Sequence, residues 1–304
     1  MHLTKTHGSL NEIFALDAVP SAWASAAALR EFVRSVCDRG SWTGGSDGIY
    51  LYDAAQPETR AWFFNPDGSP AEFCGNGMRG LGRLILDLRG TDTETVSSGS
   101  SSYTIRRADS TPEGVRRVVL EHPALAFPAG ELPAEYRGYT AVSVPNPHVI
   151  GIVDDYREPD LIAAGKHADE AFAHGANVSF LQPITEDDVF VRTFERGAGL
   201  TPSCGSGMVA SRAAYSKVTG LDPERPLVVR NAGGVATVSI RVRGGGWFPV
   251  LEGNATVSYR AEVGLAGEQS GPVDWAADEN AAYAALDERN THRLKSAGIV
   301  TAHP

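Results

Sequence analysis

The sequence predicts an α/β (α+β) protein of two pseudo-symmetric domains, each a mixed strand barrel around a central helix. Three observations carry that prediction. A short motif occurs twice, as Cys74-Gly75-Asn76-Gly77-Met78 and as Cys204-Gly205-Ser206-Gly207-Met208. Each copy follows a stretch that reads as strand and loop and precedes one with a helical pattern. Proline and glycine cluster at 123–133, the natural seam between two halves.

In chain order, the first helical stretch is 26–37, which ends on Cys37. After the first motif, Met78, Leu81, Leu84, Ile85 and Leu88 recur at spacings of three and four, and Gly90 supplies a stop. Short β-rich runs lie at 118–120, 141–144, 149–153, 178–181, 189–194, 235–242 and 255–259. The helix after the second motif is built of small residues, Ala210, Ser211, Ala213 and Ala214, and ends near Gly220. Small side chains let a helix approach strands closely, so both motif helices are expected to be buried. The expected domains are 1–125, able to take back the segment around 263–304, and 126–262. A polar tail at 265–304 holds an alanine-rich helical stretch at 274–294, and its residues point to no role.

Composition narrows the function classes. Hydrophobic residues make up 42% of the chain and charged residues 21%, as in ordinary soluble domains. No run of about 18 apolar residues is present, so a membrane span is not expected. The first residues lack the blocks of a signal peptide, which makes the cytoplasm the expected location. A net charge of −10 argues against a nucleic-acid surface, which needs a basic patch. The pairs Arg106-Arg107 and Arg116-Arg117 read as solvated strand ends. The three cysteines, Cys37, Cys74 and Cys204, are odd in number and far apart, so no disulfide framework is expected. No CxxC or HxxxH pair offers a metal site, and no phosphate-binding fingerprint calls for a nucleotide or pyridoxal cofactor.

Cys37 lies in a helical stretch and reads as structural, the usual fate of an isolated cysteine. Cys74 and Cys204 differ, because packing alone does not require Gly-x-Gly after both. A cysteine at a helix mouth meets unpaired N–H groups and the positive end of the dipole, both of which favour thiolate. The glycines leave those N–H groups open to a carboxylate. Two such mouths suit one reaction: removal of an amino acid's α-proton by one thiolate while the other thiol reprotonates the opposite face. Charge that develops on the substrate carboxylate would be stabilised by the helix N-termini.

Several further motifs carry a family resemblance. Lys5-Thr6-His7-Gly8-Ser9-Leu10-Asn11-Glu12, Asn65-Pro66-Asp67-Gly68-Ser69 leading into Cys74, Pro145-Asn146-Pro147-His148, Asn177-Val178, and Glu195-Arg196-Gly197 leading into Cys204 occur in that order. From about Leu3 to Val263 the chain resembles the diaminopimelate epimerases. The resemblance implies their fold, no cofactor and no metal. It implies Cys74 and Cys204 as acid/base residues, with His148 and Glu195 helping to set the protonation of the thiols. It implies Asn11, Asn65, Gly75, Asn76, Asn146, Asn177, Glu195, Arg196, Gly205 and Ser206 as the substrate-binding set. Taken alone, His148 would be a loop histidine and the asparagines turn formers. Three positions depart from the family pattern: Leu10 stands where glycine is usual, Glu12 where aspartate is usual, and Leu200 where glutamate is usual.

The resemblance therefore implies interconversion of LL- and meso-diaminopimelate, in lysine and peptidoglycan precursor synthesis. The expected partner is a small amino-acid substrate, with neither nucleic acid nor membrane, and a homodimer is compatible with the sequence. Two other readings stay open. One is a related racemase for histidine or a nonproteinogenic amino acid. The other is a redox-sensing or binding protein on the same fold.

Overall fold

In a computed structural model that describes residues 1–55 and 58–301, the chain folds as two units. The first is Met1–Leu120 with Gly253–Leu286, and the second is Glu121–Glu252 with Asp287–Pro304. Among the described residues there are five α-helices: Ala26–Cys37 (α1), Gly75–Arg89 (α2), Glu158–Ala171 (α3), Gly205–Thr219 (α4) and Ala277–Ser296 (α5).

The strand ladder of the first unit begins with a hairpin, His2–Gly8 antiparallel to Asn11–Asp17. Asn11–Asp17 then runs parallel to Ile49–Asp53, which is antiparallel to Thr59–Phe64. Thr59–Phe64 runs parallel to Thr93–Ser98, which is antiparallel to Ser101–Ala108. The second unit repeats each step. Thr140–Val144 is antiparallel to Asn146–Ile152, which is parallel to Asn177–Thr185. That strand is antiparallel to Asp188–Glu195, which is parallel to Leu227–Asn231, itself antiparallel to Gly234–Arg243. α1 and α3 occupy the first parallel crossover of their units, and α2 and α4 the second. The short motif repeat thus belongs to a repeat of whole folding units.

Both motif helices pack against several strands of their own unit, as expected of central helices. α2 achieves this with glycine. A Cβ on Gly80 would lie 2.2 Å from Thr6 Oγ1, and one on Gly77 would lie 2.7 Å from Ile13 Cγ2. α4 achieves it with Ala210, Ser211, Ala213 and Ala214, all fully buried. Leu88, expected on the buried face of α2, is instead 65% exposed in the last turn. Both helices end on a left-handed glycine, Gly90 and Gly220, which has no Cβ to clash there.

Two segments differ in placement from the sequence-based expectation. Strand Thr256–Glu262, expected in the second domain, pairs antiparallel with His2–Gly8 and lies in the first unit. The helix expected in the tail is α5, and its residues are divided between the two units at Leu286 and Asp287. Within the first unit, α5 supplies Glu279, a bidentate partner of the buried Arg83 at 2.5 and 2.7 Å, and Tyr283, edge-on to His7. In the second unit, Asn290 donates to the Asn231 carbonyl and Arg293 pairs with Asp188. The arginine pairs also gain partners. Arg83, Arg107 and Arg116 converge on Asp87 at 3.4, 2.8 and 3.7 Å, beside an arginine-lined cavity of about 200 Å³.

The hairpin that leads into Asn11 turns through two residues, Ser9 and Leu10, both with positive φ (55° and 60°). This conformation matches the twist of a two-residue hairpin but is costly for a bulky side chain. Neighbours hold it in place. The Ser9 N–H donates to Asn254 Oδ1 at 2.8 Å, and Asn254 Nδ2 donates to the His7 carbonyl at 3.0 Å. Burial pulls the His7 imidazole down to about 4, so it is neutral and accepts from the Leu10 N–H. Leu10→Gly should relieve the strain and raise stability by about 1 kcal/mol, seen as a higher midpoint in thermal or urea unfolding. An unchanged or lower midpoint would mean that leucine's packing outweighs the backbone cost.

Candidate active site

Cys74 is the N-cap of α2, in extended backbone at φ −133°, ψ 111°. Its own N–H donates to the Tyr50 hydroxyl at 2.8 Å, and that hydroxyl donates to the Cys74 carbonyl at 3.3 Å. The first helical bond, from the Met78 N–H to the Cys74 carbonyl, is 2.8 Å. The fully buried Tyr50 thereby fixes the backbone that carries the sulfur. The cap is unusual in one respect: no side-chain hydrogen bond from Cys74 closes the helix start.

Asn11 and Asn76 gather at this sulfur. The Cys74 S–H lies 3.7 Å from Asn11 Oδ1 as donor, and Asn76 Nδ2 donates to the same oxygen at 3.3 Å. Gly75 opens the helix and is buried. Asn65 is engaged in its own turn, where its Nδ2 donates to Ser69 Oγ at 3.0 Å.

Cys204 caps α4 in nearly the same backbone conformation, φ −117° and ψ 111°. Its sulfur accepts from the Gly207 N–H at 3.3 Å and lies 3.5 Å from Ser206 Oγ. Gly205 opens the helix and is buried. Helix position alone would favour thiolate here. The structure shows the reverse balance: burial, and next to it the Glu195 carboxylate, push the Cys204 thiol well up. A helix terminus contributes about 1 kcal/mol, too little to offset both. The Thr201 hydroxyl donates to Glu195 Oε1 and so holds that carboxylate. Leu200 faces an apolar cluster that includes Phe194 and Leu161.

His148 is almost fully buried, and burial pulls its imidazole down to about 3, so the ring is neutral. Its Nε2 lies 3.0 Å from Ser206 Oγ, 3.3 Å from Asn177 Nδ2 and 3.3 Å from Asn146 Oδ1. Asn177 has a fixed orientation, because its Oδ1 accepts from the Arg196 backbone N–H at 2.8 Å. Its amino group therefore points at His148 Nε2; the tautomer in which that atom accepts also takes the Ser206 hydroxyl as donor and leaves Asn146 Oδ1, itself only an acceptor, without a proton from the ring. His148 reaches Cys204 through Ser206. The guanidinium of Arg196 is placed apart from this cluster: it is exposed and donates to the His174 carbonyl.

Sequence reasoning does not find three residues that shape these sites: Tyr50, Asp47, which accepts from Asn11 Nδ2 at 3.0 Å, and Thr201. Only Thr201 carries a usable signal, its place three residues before Cys204. Among the described residues, no group of three histidine, cysteine or carboxylate side chains could hold a metal ion. Among the same residues, no helix is long and apolar enough to cross a membrane.

Comparison with known proteins gives a consistent result. A family model described as diaminopimelate epimerase matches residues 140–257. A diaminopimelate epimerase of Listeria welshimeri is 32% identical over 98% of this chain and 99% of its own length. One of Ligilactobacillus salivarius is 31% identical over 94% of this chain and 98% of its own. Solved structures share the fold at low identity. A Bacillus anthracis phenazine biosynthesis protein of the PhzF family has a TM-score of 0.64 at 16% identity, covering 86% of this chain and 98% of its own. A hydroxyproline epimerase from Agrobacterium vitis has a TM-score of 0.61 at 13% identity, covering 92% and 97%. The chain belongs to the diaminopimelate epimerase family and is an amino-acid epimerase, an isomerase.

Proposed function

We propose that this enzyme interconverts LL- and meso-diaminopimelate by a two-thiol mechanism that uses no cofactor, in the synthesis of lysine and peptidoglycan precursors. The observation that carries the reading is the duplicated cap: Cys74 and Cys204 head helices of equal length, with like backbone angles and a buried glycine next in line. Reciprocal chemistry at two like helix starts gives a reason for both sulfurs. The names of the relatives supply the substrate.

In the reaction, one sulfur acts as thiolate and takes the α-proton as the C–H bond breaks. The electron pair left on carbon is delocalised into the substrate carboxylate, where the helix N–H groups behind Gly75 and Gly205 stabilise it. The other sulfur, as thiol, gives its proton to the opposite face and becomes the thiolate. The two sulfurs exchange roles, configuration inverts, and the proton count balances. Asn11, Asn76, Asn146, Asn177 and Ser206 orient the polar groups of the substrate, and Asn65 and Arg196 hold the distal amino-acid head. Glu195 and the neutral His148 set the protonation of Cys204, directly in the first case and through Ser206 in the second. The enzyme acts in the cytoplasm on a free amino acid. A racemase for a one-headed amino acid is the competing reading, and the apolar packing of Leu200 is the observation that favours it.

Proton–deuterium exchange in D2O, followed by NMR across a panel of amino acids, tests the reading. Diaminopimelate should exchange fastest, with activity unaffected by chelators or by removal of pyridoxal phosphate. Cys74→Ala and Cys204→Ala should each abolish inversion without unfolding the chain, and near-normal turnover in either would refute the mechanism. Arg196→Met should lower efficiency on diaminopimelate about ten- to hundredfold, as expected for loss of a charge-assisted bond, while exchange on alanine changes little. Equal losses on both substrates would make Arg196 structural. Neutralising Glu195 tests the electrostatics. A raised thiol ionises only as pH climbs, and the like charge of Glu195 adds to that rise, so Glu195→Gln should speed iodoacetamide labelling of Cys204 at neutral pH. Slower or unchanged labelling would remove Glu195 from that role.

A further inference from the structure

We propose that Asp47 is a positioning residue that fixes the side-chain amide of Asn11, so that its oxygen and not its nitrogen faces the Cys74 sulfur. An asparagine amide is nearly symmetric in shape, and only its partners decide which end points where. Asp47 Oδ2 accepts from Asn11 Nδ2 at 3.0 Å. A carboxylate can only accept, so the amino end of Asn11 is committed to that side. The amide oxygen is left for Cys74 Sγ at 3.7 Å and Asn76 Nδ2 at 3.3 Å.

Asp47 is itself well anchored. The same Oδ2 accepts from the Glu12 N–H at 3.0 Å, and the Asp47 N–H donates to the Glu12 carbonyl at 2.7 Å. Its other oxygen accepts from Arg39 at 2.7 Å, and Arg39 also pairs with Glu12, whose second oxygen meets the buried Lys5 at 3.0 Å. Burial raises the Asp47 carboxyl, and Arg39 opposes that rise. The four side chains form a charged brace, of which only Asp47 touches the amide that touches the sulfur. Glu12, one of the departures from the family pattern, is the member of the brace that joins Lys5 to Arg39.

The consequence is chemical. An oxygen facing sulfur accepts an S–H and favours the thiol, whereas an amino group there would donate to a thiolate. Asp47 therefore holds Cys74 in its proton-donating form before substrate arrives. The inference deepens the two-thiol reading, but its test follows sulfur reactivity and not turnover, so it fails or stands separately from the identity of the substrate.

Asp47→Asn is nearly isosteric and replaces the obligate acceptor with a group that can present either end. Labelling of Cys74 by iodoacetamide at pH 7, quantified by peptide mass spectrometry, should become about tenfold faster, the change expected for a one-unit fall of the thiol. Asp47→Glu, which keeps an acceptor, should restore most of the wild-type rate. In an Asn11→Ala background, Asp47→Asn should add nothing, because the amide through which it acts is gone. Should Asp47→Asn fold poorly, Asp47→Ser is compared in the same two backgrounds. An unchanged Cys74 rate, or an equal change with Asn11 removed, overturns the proposal.

Discussion

The unpaired N–H groups at the start of each motif helix are the constraint on which both units depend. A helix leaves four such donors without partners, and serine, threonine or aspartate at the N-cap would satisfy one with a strong acceptor, for about 1 kcal/mol. Cysteine is a poor substitute. Cys74 makes no capping bond and Cys204 makes one long one from the Gly207 N–H. The helix starts must then be held by other means: the Tyr50 hydroxyl on the Cys74 backbone, and strands packed close along each helix. What remains at each mouth is the positive end of a helix, which favours an anion.

The parts of this design that are local in the chain are legible in its residues. The doubled Cys-Gly-x-Gly is plain, as are the small residues of α4 and the glycine stops at 90 and 220. α3 is not legible, because the face it buries is only Leu161, Gly165 and Ala168. A Cβ on Gly165 would lie 2.2 Å from the Phe194 ring, so the helix depends on a residue that reads as a helix breaker. Strand Ile49–Asp53 escapes for a different reason. Its first three residues are all buried, and a continuous apolar run carries no period to distinguish strand from helix. Asp47 and Tyr50 are invisible because their partners, Asn11 and Cys74, are far away in the chain.

The duplicated units carry similar helices but different surroundings for the sulfur. In the first, an orienting carboxylate with Arg39, Glu12 and Lys5 braces one neutral amide against Cys74. In the second, the run is neutral: the Arg196 backbone N–H fixes Asn177, which fixes the His148 ring, which accepts a hydrogen bond from Ser206 beside Cys204. Both arrangements place an oxygen at hydrogen-bond distance from the sulfur, but Cys204 also faces the Glu195 carboxylate directly. A charged brace tolerates the partial exposure of Arg39, which keeps its guanidinium solvated. A charged histidine in the closed pocket of His148 would lack solvation, and burial accordingly keeps that ring neutral.

The same reasoning gives Leu200 a physical sense. The Cys204 thiol already stands well up because it is buried and faces Glu195. A second carboxylate at position 200, where glutamate is usual, would add like charge near a sulfur that the proposed mechanism requires to ionise, unless a partner neutralised it. In this chain the position is apolar, paired in the ladder with Phe194, and Glu195 takes its hydrogen bond from Thr201. A threonine hydroxyl stabilises the carboxylate without adding charge of its own, so the field at Cys204 is set by one acid and the helix start that opposes it. The departure at Leu200 therefore simplifies the electrostatics of the thiol while leaving the duplicated cap intact.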